Sequence, residues 1–175
     1  MRLILYTQYY RARTPERQAE LDHCLRSNLQ HPQLDQVVVL REPDAPELPG
    51  EARMPVQVIE EAERLTYAAW MRMLQQESEA IGILINSDIA LGQGWEQLQQ
   101  VLNTPESALA LSRYNPSTNG GPLRLNKFPH WTQDTWPCAV MPRSQTACSM
   151  PAAFPSAIPA ATTASPMCSG AMAWR

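Results

Sequence analysis

Residues 81–89 read Ile81-Gly82-Ile83-Leu84-Ile85-Asn86-Ser87-Asp88-Ile89. The first five form the most apolar run of the chain, as expected of a strand covered on both faces of a parallel sheet. The run then breaks into three polar residues ending in a carboxylate. In open α/β sheets, ligands bind beyond the carboxyl ends of the strands. One short segment therefore suggests both an α/β fold and a site.

The flanking sequence repeats the strand–helix alternation. Leu3-Ile4-Leu5-Tyr6-Thr7 reads as a first strand. Thr14-Pro15-Glu16 is a helix start, with a hydroxyl cap, a proline at the first helical position and an acid in the first turn. Leu21, Cys24, Leu25 and Leu29 follow at helical spacing, and His31-Pro32 ends that helix. Val37–Leu40 is a second buried run, and Val56, Val58 and Ile59 a shorter third. Thr66–Glu77 reads as a helix with Leu65, Ala69, Met73 and Trp70 inward. Gly94–Leu102 reads as a short helix and Ala108–Leu111 as another strand. Residues 1 to about 115 are thus expected to form an α/β/α sandwich, with Leu3–Thr7, Val37–Leu40, Ile81–Ile85 and Ala108–Leu111 adjacent in one mostly parallel sheet.

Bulk properties narrow the functions. The chain has 175 residues, one domain by length, and a formal net charge of -3. That balance argues against nucleic acid as a main partner. The apolar run Leu3–Tyr6 is too short for a signal-peptide core or a membrane span, so a cytoplasmic location is expected. Cys24, Cys138, Cys148 and Cys168 form no C-x-x-C pair. Cys24 lies on a helical apolar stripe and reads as a buried free thiol. His23, His31 and His130 lack metal-ligand spacing and read as structural.

The polar triplet carries the sharpest chemistry. Releasing a diphosphate from a sugar requires that its charge be stabilised, and a hard divalent cation held by one or two carboxylates does this. Asp88 suits such a metal, Mn²⁺ or Mg²⁺, while Asn86 or Ser87 would contact ribose or water. The same triplet is also ordinary turn chemistry after a strand. Asp134, within Trp131-Thr132-Gln133-Asp134-Thr135-Trp136, reads either as a general base or metal-directed acid, or as a capping residue between two core tryptophans. It lies beyond the glycine-rich Asn119-Gly120-Gly121-Pro122. Gln8-Tyr9-Tyr10 follows the first strand, where a nucleotide base would stack, and equally reads as a loop over the sheet edge. Arg64 and Arg113 are placed to reach phosphates, although many arginines in such positions are merely solvated.

Taken together, these segments resemble a bacterial and viral group of GT-A-like glycosyltransferases. The matching pieces are Tyr6-Thr7-Gln8-Tyr9-Tyr10, Arg17-Gln18 with Glu20, Cys24-Leu25 with Asn28-Leu29, Asn86-Ser87-Asp88-Ile89, Leu111-Ser112-Arg113-Tyr114 and Gln133-Asp134-Thr135-Trp136. The resemblance implies a mostly parallel, Rossmann-like GT-A sheet flanked by helices. It also implies a nucleoside-diphosphate sugar as donor and a glycan or other acceptor. It places the metal on Asp88 as counterpart of an Asp-x-Asp motif, with one carboxylate here instead of two.

Composition changes after Trp136. From residue 137 onward there is no Asp, Glu, Lys or Leu, and Ala, Pro, Ser, Thr and Met dominate. Residues 1–136 accordingly read as an incomplete GT-A-like domain and 137–175 as an irregular low-complexity tail. The family pattern continues with a stretch resembling PGCDNRI, absent here as written, so impaired transfer is expected. When degenerate codons for Ile158-Pro159-Ala160-Ala161-Thr162-Thr163-Ala164-Ser165 are read from the third base of each codon, PGCDNRI is among the permitted translations. The tail therefore reads as out-of-frame translation. Two further readings of the chain are a non-catalytic nucleotide-sugar-binding remnant and an α/β interaction module.

Overall fold

The computed structural model describes residues 1–102, 107–115, 122–125 and 127–140. The expected irregular tail from residue 141 and Asn119, Gly120 and Gly121 of the glycine-rich loop lie outside the described residues. The fold is mixed α/β around a six-stranded, mostly parallel sheet. In chain order the elements are β1 (Arg2–Tyr9), α1 (Pro15–Leu29), β2 (Gln36–Arg41), β3 (Val56–Glu60), α2 (Tyr67–Leu74), β4 (Ala80–Ile85), α3 (Trp95–Val101), β5 (Leu111–Ser112), β6 (Tyr114–Asn115), β7 (Arg124–Leu125) and β8 (Gln133–Val140). A 3-10 turn at Pro129–Trp131 leads into β8. The sheet order is β3-β2-β1-β4-β8-β5, with β6 and β7 forming a separate ribbon.

Alternation along the strands divides the core in two. Leu3, Leu5, Val37, Val39, Ile81 and Ile83 pack with Leu21, Leu25 and Leu29 of α1 and with Trp95 and Leu98 of α3. Ile4, Tyr6, Val38, Leu40 and Leu84 face the other way and pack with Trp70 and Leu74 of α2. Every residue of β4 is buried, because both faces are covered and β1 and β8 flank it. Gly82 permits the close approach of α2. A Cβ there would lie 2.5 Å from Leu74 Cδ1, inside contact distance.

Several details differ from the sequence reading. The four expected strands share a sheet, but β8 enters antiparallel between β4 and β5. Ala108 makes only an isolated bridge to Cys138, and a register shift interrupts β5 at Leu111/Ser112. β8 also carries the sheet four residues past the change in composition at Trp136, through Pro137 to Val140. Cys24 is fully buried on the α1 stripe, but it is disulfide-bonded and not the free thiol expected. In α2 the fully inward residues are Trp70 and Leu74, while Ala69, Met73 and, ahead of the helix, Leu65 are half-buried. His31 is structural, its Nε2 lying 2.7 Å from the Gly92 carbonyl. Among the described residues, no helix is long and apolar enough to cross a membrane.

Candidate functional site

The topology gathers chain-distant residues at one edge. Strands β1 and β4 are parallel neighbours, so the first turn of α1 and the turn after β4 lie at the same carboxyl edge. Strand β8 runs the other way, and its start therefore meets the end of β4, with Thr135 opposite Ile85. Strand β5 ends here too, and Arg113 N donates to Thr132 O at 3.0 Å. Arg17, Asn86, Ser87, Asp88, Arg113 and Asp134 thus converge.

Local structure fixes each member. Thr14 caps α1 by accepting from Arg17 N at 3.3 Å, and Pro15 presets the first turn. From that turn Arg17 Nη2 donates to Asp88 Oδ2 at 2.9 Å, and Nη1 donates to Glu20. The Asp88 turn is closed by Ile89 N donating to Asn86 O at 3.2 Å. Buried Asn28 fastens the chain just after Asp88: its Nδ2 donates to Ile89 O and its Oδ1 accepts from Leu91 N, both at 2.8 Å. With Ile89 itself in the core, the carboxylate of Asp88 is kept beyond the strand end.

Asp134 forms the second half. Asn86 Nδ2 donates to its Oδ1 at 2.8 Å, and Asn86 N donates to its carbonyl at 3.2 Å. Arg113 Nη1 lies 3.3 Å from Asp134 Oδ2. That is ion-pair range without a well-directed hydrogen bond. Oδ2 is buried and has no hydrogen-bond partner among the described residues, and the same holds for Arg113 Nε. The Asp134 carboxyl is held above its ordinary value, first by burial. The Arg113 charge opposes this, the nearby negative charge of Asp88 adds to it, and the Asn86 hydrogen bond opposes it. Burial also pushes the Tyr67 hydroxyl up to about 12, with the Asp134 charge adding to the shift. Burial works against the charge on Arg17, but the hydrogen bonds to Asp88 and Glu20 outweigh it and raise its pKa.

The remaining sequence candidates fall nearby or inside the core. Gln8 is half-buried and engaged: its Nε2 donates to Glu42 at 2.8 Å and its Oε1 accepts from Leu65 N at 3.0 Å. It ties the ends of β1 and β2 to the approach of α2. Arg64, one residue before Leu65, is exposed at the surface. Tyr9 is 1% exposed, and its hydroxyl donates to Asp22 at 2.6 Å. Its ring is a core element and offers no face to a base. Ser87 is half-buried within the turn, and Asn86 is exposed apart from its link to Asp134. Of the two tryptophans around Asp134, Trp136 is half-buried and packs edge-on to Tyr67 at 5.3 Å, but Trp131 is 75% exposed. Arg17, Glu20 and Asn28 belong to segments that carry the family resemblance, but neither they nor Tyr67 has a site role in the sequence reading. The available signal was positional, since the first turn of a helix following a strand lies at the ligand edge of such a sheet.

The donor set suits a hard cation in one respect. Asp88 and Asp134 are carboxylates close enough to influence each other electrostatically, and Asp134 Oδ2 is buried and accepts no hydrogen bond among the described residues, its ion pair with Arg113 apart. Among the described residues no three or more His, Cys, Asp or Glu side chains form a metal-holding group. The described residues would therefore supply two carboxylates, leaving other positions to phosphate and water, as Mg²⁺ commonly requires. Comparison of the chain with protein-family models and with curated proteins finds no match.

Proposed function

We propose that the chain is a GT-A-like glycosyltransferase domain that binds a nucleoside-diphosphate sugar at the carboxyl edge of its sheet. The observation that carries this reading is the convergence of two carboxylates and two arginines there. Arg17 pairs with Asp88 at 2.9 Å and Arg113 with Asp134 at 3.3 Å. A diphosphate needs cationic groups for its oxygens, and guanidinium forks provide them with directional hydrogen bonds. Asp88 is the group that would hold Mn²⁺ or Mg²⁺, which leaves Asp134 free as a base. Such an ion, when bound, neutralises charge that develops on the departing diphosphate.

The residues divide the chemistry between them. Arg113 and Arg17 orient the diphosphate, and Asn86 fixes the Asp134 carboxylate by its 2.8 Å hydrogen bond. Asp134, with its pKa raised by burial, is a stronger base than an ordinary carboxylate. In transfer, the acceptor oxygen bonds to the anomeric carbon while the bond from that carbon to the diphosphate oxygen breaks. Asp134 takes the acceptor proton. Positioning supplies much of the rate in such reactions. A chain whose sequence departs from the family pattern after Trp136 is accordingly proposed to be impaired in transfer while retaining donor binding.

The test is sugar transfer against donor hydrolysis by the purified 175-residue chain. Donor binding with weak or absent transfer is expected. Robust transfer would refute the impairment, and failure to bind any nucleoside diphosphate would refute the donor site.

A further inference from the structure

The segment leading into β8 carries an aromatic surface that the donor site leaves unused. Trp131 is 75% exposed and Phe128 43% exposed. Their ring centroids lie 4.9 Å apart with planes inclined by 31°. His130 stands edge-on to Trp131 at 5.3 Å, and Lys127 Nζ sits 5.5 Å from the Phe128 ring. The turn is held by its backbone. Trp131 N donates to Phe128 O and Thr132 N to Pro129 O, each at 3.0 Å. Ser112 Oγ donates to the same Pro129 carbonyl at 2.7 Å. Thr132, in turn, receives the Arg113 amide and is itself buried. The exposed indole is therefore anchored to the strand end that positions Arg113 and Asp134.

Its place is set by topology. Strand β8 begins at the carboxyl edge, so the residues just before Gln133 project past that edge on the ligand side of the sheet. Only Thr132 and Gln133 separate Trp131 from Asp134, a span of no more than about 11 Å between Cα atoms. The size of the surface selects its occupant. Two aromatic side chains offer on the order of 150–250 Å² each. A stable protein interface needs about 800 Å² from each partner. One or two pyranose rings fit the smaller area. The C–H-bearing face of a pyranose carries slight positive charge and matches the negative face of an indole ring. Its edge hydroxyls would meet His130 and the exposed Gln133.

We propose that Trp131, backed by Phe128, is a stacking platform for a pyranose ring of the acceptor saccharide. The assignment to the acceptor rests on the glycosyltransferase reading; the platform as a saccharide site does not.

The test uses the full chain labelled with 5-fluorotryptophan, with the Trp131 signal assigned through Trp131→Phe. Methyl glucoside, galactoside, rhamnoside and N-acetylglucosaminide are titrated with and without UDP, GDP or dTDP and Mn²⁺. A saturable shift of the Trp131 signal is expected with at least one pyranoside. Calorimetric titration compares the variants, which lack that signal: Trp131→Ala should weaken pyranoside binding about tenfold or more, the size of one lost stacked ring. Trp131→Phe should retain most of it, and nucleotide affinity should not change in either variant. No Trp131 response to any pyranoside, or equal affinity in Trp131→Ala, overturns the platform even if nucleotide binds. A Trp131 shift that tracks protein concentration alone overturns it in favour of a second copy of the chain. Pyranoside binding without any nucleotide binding keeps the platform and removes the donor reading.

Discussion

Arg17 and Asp88, separated by 71 positions in sequence, meet at 2.9 Å across the mouth of the sheet. The pair joins the first turn of α1 to the turn after β4. Glu20 shares the same guanidinium. Anionic oxygens of a diphosphate would compete for Arg17, and their arrival would leave Asp88 to a cation. Arg17→Ala should therefore weaken nucleoside-diphosphate binding by about tenfold to a hundredfold, the range for a lost charged hydrogen bond. Arg17→Lys should recover only part, because the fork geometry is lost. Calorimetric titration of the three proteins checks this, and equal affinities would show that Arg17 serves only α1.

Asp134 links the site to pH. Its pKa is raised above the unfolded value of 3.8, so the folded chain holds the proton more tightly than the unfolded chain. The contribution of this group to stability is therefore greatest at low pH and declines as pH rises from 3.8 through the folded pKa. Asp134→Asn removes the titration and relieves burial of the charge, at the loss of the Arg113 pair. Thermal melts from acidic to neutral pH should show the variant gaining relative to the parent as pH rises. A constant difference across that range would contradict the assignment.

The contact of Gly82 with Leu74 predicts a packing penalty. Gly82→Ala puts a methyl 2.5 Å from Leu74 Cδ1 in a fully buried strand. Overpacking of this kind costs about 1–3 kcal/mol. Leu74→Ala alone should cost about 2–5 kcal/mol through the cavity it leaves. The double variant should lose less than the sum, because the new methyl enters the vacated space. Urea unfolding of the four proteins measures the coupling, and strict additivity would contradict the contact.

Much of the fold is legible in the sequence because burial and periodicity agree. The run 81–85 is apolar at every position but glycine, and it lies in a strand buried at every position, with neighbours on both sides and helices on both faces. The Thr14 and Thr66 caps are local chemistry, and both occur as hydrogen bonds to the third residue on. Strand β8 is not legible. Its sequence, Gln133 to Val140, mixes polar residues with Pro137, a residue that rarely sits inside a sheet. Pairing with Ala80–Ile85 decides its conformation, and that information lies far away in sequence. At the site, Asn86, Asp88 and Arg113 are recognisable as polar groups after apolar runs, and Asp134 as an acid between two tryptophans. Tyr9 is ambiguous because a tyrosine after a strand can turn either way, and the hydroxyl bond to Asp22 turns it inward. The role of Arg17 depends on β1 and β4 being neighbours, which no local pattern encodes.

The reading frame makes a separate prediction. Strand β8 pairs in regular register through Val140. A shift in frame that respects this strand falls after it, so a single-base change within the codons for residues 141–148 should restore an open frame encoding PGCDNRI opposite Ile158–Ser165. Sequencing the coding region decides it. Absence of such an open frame would leave the change in composition as a native low-complexity segment.

Asp88 and Arg113 are proposed to build a metal-assisted diphosphate site at the carboxyl edge. The most direct measurement is titration of UDP, GDP and dTDP into the parent chain, Asp88→Ala and Arg113→Ala, each with and without Mn²⁺. The parent should bind at least one nucleotide more tightly with Mn²⁺. Asp88→Ala should abolish the metal dependence, and Arg113→Ala should weaken binding about tenfold or more with metal present or absent, as expected for a lost guanidinium–phosphate contact. Metal-dependent affinity that is the same in all three proteins, or no nucleotide binding by the folded parent, would contradict the account.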